Sequence, residues 1–363
     1  MTQTAIPFVF MRGGTSRGPY MNRAHLPEDL ETLAEVLVAI VGSGHPLNID
    51  GMGGGAAVTT KVAMLSRSDD EWADVDYFFA QVSVEDRLVD FKPTCGNILS
   101  GVGSAAIEMG LVEAQEEQTT VNIRAVNTEA RIAAIVQTPG KAVSYEGTAQ
   151  IDGVPGTSAP VALQFMETVG GVTGSFLPTG NLFDTINGVD VTCMDVAMPM
   201  VIAKAESFGL TGYETAADLD ENADFYARMD TIRLEAGERM GMGDVSKSVT
   251  PKFGLLAPAT QGGTIATRYF MPWKCHPTMA VTGAQCLASC VLTPGTVADG
   301  MAAIPNETPA KITLEHASGT IDVVVDFENT VNGFSLKSAG LVRTTRKLAA
   351  GEVFVPSSIW CGA

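Results

Sequence analysis

The stretch CGNILSGVGSAAIEMGL, residues Cys95–Leu111, decides the fold of this chain. It has the length of a helix, and nearly every residue in it is apolar or small. A second stretch of the same kind, AVTGAQCLASCVL, occupies Ala280–Leu292, about half the chain further on. A helix that is apolar on every face is buried on every face, so each stretch predicts a helix at the centre of its own core.

Strand-like segments come before and after both stretches, which is the arrangement of a duplicated unit: a sheet wrapped around one buried helix, used twice. The predicted strands are Ala5–Met11, Val62–Leu65, Tyr77–Val84, Val121–Ala125, Arg131–Gln137 and Val143–Ile151. Further helices are predicted at Leu30–Val41 and at Ala216–Met240 from their apolar spacing and end signals. A chain of 363 residues is longer than one core usually needs. The sequence therefore predicts an α+β fold with two similar domains, residues 1–180 and 181–363, the last segment being able to return to the first domain.

Charge and composition exclude several classes of partner. The formal net charge is −18, so the chain has no electrostatic reason to bind nucleic acid or an anionic membrane. It has no run of 18 apolar residues and no signal-peptide pattern. We therefore expect a cytoplasmic protein that binds neither nucleic acid nor a membrane, and a homodimer is compatible with the sequence.

The cysteines and histidines do not show the spacing of a disulfide framework or a metal site. No CxxC pair occurs among the six cysteines, and the four histidines show no HxH or HExxH spacing. The glycine run before Lys61 lacks the spacing of a nucleotide-binding loop. We expect no metal and no other cofactor.

Two residues stand out as candidates for proton transfer. Cys95 opens the first buried helix as Thr-Cys-Gly-Asn, where the helix dipole favours a thiolate and the N–H groups of Gly96 and Asn97 are open to an anion. Lys61 lies at the entry to an apolar strand, where an inward-pointing amine can serve as a base. A buried structural cysteine and a solvated surface lysine are the alternatives, and residue patterns alone leave both open.

Further candidates would bind the carboxylates of a small anionic substrate. The turn MRGGTSRG carries hydroxyl and guanidinium groups that form a plausible anion nest, although an ordinary polar turn has the same composition. Lys252 and His276 are candidate carboxylate partners in the second half. The candidates in the turn are Arg12, Thr15, Ser16 and Arg17.

Taken together, these segments resemble the PrpF family within the diaminopimelate epimerase-like fold. The matching pieces span nearly the whole chain in the family order: MRGGTSRG, GHPLNIDGMGG, TTKVA, CGNILSGVG, IDGVPGT, LPTGN, GLTGYE, TGAQC and TRKLAAGEVFVP. Within the family, the chain is most similar to the 4-oxalomesaconate tautomerases of bacterial gallate and protocatechuate catabolism.

The resemblance implies two β-barrel domains, each around a central helix, and a catalytic pair at Lys61 and Cys95. It also implies a substrate contact at Gly283, in TGAQC, and no cofactor. The racemases of this fold use a second cysteine, whose place here is taken by Met279 or Ala280. We therefore expect a cofactor-independent 1,3-allylic isomerase of 4-oxalomesaconate. The alternatives are an aconitate or methylitaconate isomerase of the same family, and a non-catalytic polycarboxylate-binding protein.

Overall fold

The computed structural model of the protein describes residues 2–166, 168–271, 273–305, 307–330 and 333–362. They form two compact units: unit 1 comprises Met1–Gln164 and Val342–Ala363, and unit 2 comprises Phe165–Leu341.

The elements of the first half of the chain are β1 (Gln3–Gly13), β2 (Ser16–Asn22), α1 (Leu30–Val41), β3 (Lys61–Arg67), β4 (Val75–Val82), β5 (Val89–Asp90), α2 (Gly96–Leu99), α3 (Val102–Glu108), β6 (Glu117–Ala125), β7 (Ala130–Thr138) and β8 (Pro160–Met166). Those of the second half are β9 (Asp184–Ile186), β10 (Val189–Val196), β11 (Met198–Lys204), α4 (Ala216–Asp220), α5 (Ala223–Arg239), β12 (Lys252–Pro258), β13 (Ile265–Phe270), α6 (Val281–Leu292), β14 (Ala310–His316), β15 (Gly319–Thr330) and β16 (Gly333–Pro356). Short 3₁₀ turns lie at Arg23–His25, Ala57–Thr59, Pro139–Lys141 and Ala205–Phe208.

The sheet of unit 1 closes into a barrel. Its strand order is β1-β2-β3-β4-β6-β7-β8, and β16 pairs with both β8 and β1. Helix α2 packs against β1, β2 and β3, and α3 packs against β3, β6 and β7. This confirms the prediction of a barrel around a central apolar helix.

Unit 2 repeats the same succession of pairings. An antiparallel hairpin, β10–β11, is followed by a parallel pair, β11–β12, and an antiparallel pair, β12–β13. In unit 1 the corresponding pairs are β1–β2, β2–β3 and β3–β4. Helix α6 packs against β10, β11, β14 and β15, as α2 and α3 pack inside the first sheet. The predicted duplication is therefore present in the topology, although no clear residue-level repeat marks it.

Helix α1 covers the outside of the first sheet. Its buried residues include Leu33, Leu37 and Ile40, which join a cluster with side chains of β3. Asp29 caps its N-terminus by accepting a hydrogen bond from the Thr32 N–H at 2.7 Å. Each fully buried leucine or isoleucine contributes about 1.5–3 kcal/mol. The predicted and observed bounds of this helix coincide.

The first predicted central helix is divided at Ser100–Gly101. Tyr20 Oη donates a hydrogen bond to the Ile98 carbonyl oxygen at 2.5 Å, and the Gly101 N–H donates to the same oxygen at 3.0 Å. This carbonyl is thereby drawn out of the regular i to i+4 pattern, and the helix restarts as α3.

Two other predicted elements differ from the structure. The helix predicted over Ala216–Met240 is divided because Asn222 accepts a hydrogen bond from the Phe225 N–H and so begins α5. The strand predicted over Val143–Ile151 is wrong: this segment is irregular, with a single bridge between Ala149 and Ser158.

The units divide after Gln164, earlier than the expected boundary at residue 180. The segment after β8 is bonded to unit 2, because the Gly170 N–H donates to the Asp195 carbonyl at 2.9 Å and the Asp195 carboxylate accepts from the Thr173 N–H at 2.8 Å. None of the helices in the described part of the chain combines the length and the apolar character needed to cross a membrane.

Candidate active site

Lys61 is held against strand β4 on the inner face of unit 1. It is the first residue of β3 and lies opposite Gln81. Its Nζ donates a hydrogen bond to Gln81 Oε1 at 2.7 Å and lies 5.3 Å from the centroid of the Phe79 ring. Its side chain is half-buried. The ammonium is thus oriented by one neutral acceptor and one aromatic ring.

The backbone of Lys61 is packed directly against Gly18 of β2. A side-chain carbon at Gly18 would collide with the Lys61 carbonyl oxygen. Only glycine allows this approach, because the obstructing atom belongs to the backbone of a paired strand and cannot rotate away.

Replacing Gly18 with alanine is expected to lower the free energy of unfolding by about 1–3 kcal/mol, the usual cost of overpacking. The measurement is the denaturant midpoint of the variant. Gly351→Ala is the matched control in unit 1, because an added carbon there meets nothing within 4 Å. Equal midpoints for the two variants would contradict the close approach.

Cys95 lies immediately before α2 as its N-cap residue. Its thiol is half-buried and makes no capping hydrogen bond. Its carbonyl oxygen accepts hydrogen bonds from the Leu99 N–H at 2.8 Å and from Tyr77 Oη at 3.4 Å. Since α2 has only four residues, its dipole is weaker than that of the long helix predicted from the sequence.

The MRGGTSRG turn and the Cys-Gly-Asn segment contact each other. The Thr15 N–H donates to Asn97 Oδ1 at 3.3 Å. Gly14 has a φ of 52°, and a side-chain carbon there would collide with the Asn97 amide. The structure therefore brings the turn beside Cys95, Gly96 and Asn97.

The three other candidates of the turn have different surroundings. Arg12 Nη1 donates to the carbonyl oxygens of Gly14 at 2.9 Å and Thr344 at 2.8 Å, so its guanidinium fixes the turn to β16. Burial lowers the pKa of Arg12, and the charge of Arg346 lowers it further. Ser16 is buried, and its hydroxyl has no hydrogen-bond partner among the described residues, whereas Arg17 is exposed.

Two buried tyrosines, which sequence reasoning missed, support the α2 segment. Tyr20 Oη bonds to the Ile98 carbonyl and Tyr77 Oη to the Cys95 carbonyl. Burial raises the pKa of both phenols well above the usual value, and the charge of Cys95 raises it further. Both therefore stay protonated donors. Tyr77, Phe79 and Gln81 alternate along β4 and share one face, and that period-two spacing was the available signal.

Two of the candidates of unit 2, His276 and Gly283, lie beside Tyr269. The His276 N–H donates to the Tyr269 carbonyl at 2.7 Å, and the two rings are 5.9 Å apart. Gly283 leaves room for the Tyr269 ring, with which a side-chain carbon would collide. Burial lowers the pKa of Lys252. Burial also lowers the pKa of His276, and the positive charge of Lys252 lowers it further.

The topological repeat makes two positions of the first half equivalent to two positions of the second half. Lys252 begins β12 as Lys61 begins β3, and Ala280 is the N-cap of α6 as Cys95 is the N-cap of α2. The position of a second cysteine is thus taken by alanine. Cys275, nearby in sequence, is buried, which raises its pKa to about 11. Within the described ranges, no three His, Cys, Asp or Glu side chains are grouped so that they could hold a metal ion.

Known proteins resemble this chain over nearly its whole length. A family model described as PrpF protein matches residues 3–356. Putative isomerase YbhH of Escherichia coli (strain K12) is 51% identical over 351 residues, 97% of this chain and 99% of the relative. The (4E)-oxalomesaconate Delta-isomerase of Novosphingobium sp. (strain KA1) is 44% identical over 349 residues, 96% of this chain and 97% of the relative.

A solved structure, that of a methylitaconate-delta-isomerase, superposes with a TM-score of 0.91 at 33% sequence identity, covering 99% of this chain and 97% of that one. This superposition confirms the predicted fold, and the relatives' names confirm the predicted enzyme class, an isomerase. The chain belongs to the PrpF family.

Proposed function

We propose that this protein is a cofactor-independent isomerase that moves one proton along 4-oxalomesaconate and so shifts its C=C bond. One observation carries the proposal. A single face of β4 supports both reactive groups, because Gln81 and Phe79 hold the Lys61 ammonium while Tyr77 binds the Cys95 carbonyl.

The proposed reaction is an allylic proton transfer. The base removes the acidic proton on the carbon between the 2-keto group and the double bond, and the charge spreads into a dienolate. A proton then returns to the carbon two positions further along. We assign Lys61 as the main base and Cys95 as the assisting acid or base, and the reverse assignment uses the same geometry.

In unit 1, the N–H groups of Gly96 and Asn97 and the MRGGTSRG turn are proposed to bind the substrate. Ser16 contributes a hydroxyl that is buried and unpartnered among the described residues, and Thr15 lies at the tip of the turn. Arg12 shapes the turn, and Arg17 supplies an exposed guanidinium. Lys252 and His276 stay predicted carboxylate ligands of unit 2, and Gly283 stays a predicted substrate contact. The cytoplasmic location and the homodimer stay predictions as well.

The choice of substrate rests on the relatives and on carbon acidity. The relative named for oxalomesaconate is 44% identical, whereas the solved structure named for methylitaconate is 33% identical. A 2-keto group accepts the charge left by the departing proton, so a substrate that carries one needs less help from the protein. A site with one amine and one thiol suits that substrate best.

We expect kcat/KM for 4-oxalomesaconate to exceed that for trans-aconitate by about 100-fold or more, the scale of one well-placed stabilisation of negative charge. The assay compares the two acids and methylitaconate under one set of conditions. A preference for trans-aconitate or methylitaconate would overturn the substrate assignment and favour the alternative isomerases. Binding of all three acids without proton exchange in deuterated water would instead indicate a non-catalytic binder.

A further inference from the structure

Gln81 is the one polar side chain that the structure shows bonded to the Lys61 ammonium within the described ranges. The distance from Lys61 Nζ to Gln81 Oε1 is 2.7 Å, and the two residues are directly opposite each other on β3 and β4. No acidic residue forms a salt bridge with Lys61 in the described part of the chain.

The orientation of the Gln81 amide is fixed by its other contacts. Its Nε2 donates to the carbonyl oxygen of Ala57 at 3.1 Å and to Thr60 Oγ1 at 3.2 Å. A carbonyl oxygen only accepts hydrogen bonds, so the NH₂ end must face Ala57. The Thr60 hydroxyl donates its own proton to the Val82 carbonyl at 2.7 Å, which leaves it as an acceptor for Gln81. Oε1 is therefore the atom that faces Lys61.

We propose that Gln81 is a positioning residue that holds Lys61 in its reactive orientation and, being uncharged, lets the amine give up its proton. This inference rests on the proposed function of Lys61 as a base. An amide oxygen accepts a hydrogen bond from an ammonium and from a neutral amine alike, so the contact persists through the proton transfer. A carboxylate at this place would hold the proton on Lys61 through a charge-assisted bond.

The experiment compares Gln81→Met, Gln81→Glu and the control Gln137→Met. Gln137 is also a half-buried strand glutamine of unit 1, bonded to Gln118 and not to Lys61. Gln81→Met is expected to lower kcat about 10- to 100-fold through a misplaced base, with KM within about threefold of the parent value. In Gln81→Glu, the pH at which kcat rises is expected to be about one unit higher than in the parent protein, because the added carboxylate keeps the base protonated over a wider pH range.

A second readout does not depend on turnover. Only an unprotonated amine reacts with N-hydroxysuccinimidyl acetate, so acetylation of Lys61, followed by peptide mass spectrometry across neutral and alkaline pH, reports its free-base fraction. Gln81→Glu is expected to slow acetylation of Lys61 about tenfold at a given pH, while acetylation of exposed Lys311 is unchanged. If Gln81→Glu fails to fold, the same measurement is made on Gln81→Met. The acetylation rate of Lys61 is then expected to differ from that in the parent protein, while the acetylation rate of Lys311 stays the same.

The outcomes separate the two proposals. Parental kcat in Gln81→Met, or parental Lys61 acetylation in both Gln81 variants, overturns the role of Gln81 and leaves the proposed function standing. A parent protein that turns over none of the three acids overturns the proposed function, and the acetylation profiles still decide whether Gln81 controls Lys61.

Discussion

Replacing Lys61 with methionine is expected to lower kcat by about 10²- to 10⁴-fold, the range that a general base contributes. KM is expected to stay within about threefold, because the proposed carboxylate contacts come from other residues. Methionine has a similar length and can still lie on the Phe79 ring. It cannot take up a proton, and it leaves Gln81 Oε1 without its 2.7 Å partner.

The measurement is steady-state turnover of 4-oxalomesaconate together with exchange of its allylic proton in deuterated water. Lys311→Met is the matched control: Lys311 is an exposed strand lysine whose ion pair with Asp322 contributes little to stability. A folded Lys61→Met variant that turns over and exchanges near the parental rate would rule out Lys61 as the base.

Replacing Cys95 with alanine is the second large expected effect, a loss in kcat of about 10²-fold or more. Cys95→Ser is expected to recover only part of that loss, because a hydroxyl is a far weaker acid than a thiol. Since the Cys95 side chain makes no capping hydrogen bond, α2 is expected to form in both variants.

Selective alkylation tests the same residue by another route. Four of the other cysteines are buried, and burial raises the pKa of Cys193 and Cys290 to about 12. Near neutral pH the thiols of Cys193 and Cys290 therefore stay protonated, and burial shields all four cysteines from an alkylating reagent. In a Cys361→Ala background, which removes the exposed thiol, iodoacetamide is expected to modify Cys95 and abolish turnover in parallel. Full activity after complete modification of Cys95 would show that its thiol takes no part in the reaction.

Much of the fold was predictable because apolar spacing is a local property of the chain. The two stretches that are apolar on every face became α2 with α3 and α6, inside their sheets. Leu30–Val41 formed a helix with the predicted bounds. The break at Ser100–Gly101 was not predictable in the same way, because it depends on the hydroxyl of Tyr20, which is 78 residues away from Ile98 in sequence.

Residues of the candidate site could be singled out from the sequence where a residue type is unusual for its position, and not where it is ordinary. A lysine at the entry to an apolar strand and a cysteine before a small-residue helix are unusual, so the sequence singled out Lys61 and Cys95 as candidates. Gln81 and Tyr77 are ordinary strand residues, and their importance arises from pairing across β3 and β4 and from contact with α2. Arg12, expected among the anion ligands, binds backbone carbonyls because β16 lies beside β1.

The pairing of β1 with β16 has a consequence for synthesis on the ribosome. Residues Gln3–Gly13 find their partners at Thr345–Pro356, near the other end of the chain. The residues of unit 2 form one continuous stretch that is complete at Leu341, whereas unit 1 needs the segment beyond it. The nascent chain therefore contains every residue of its second unit while the first barrel, which carries Lys61 and Cys95, still lacks its closing strand. Contacts of such large sequence separation form slowly, so unit 1 is the later of the two to be completed.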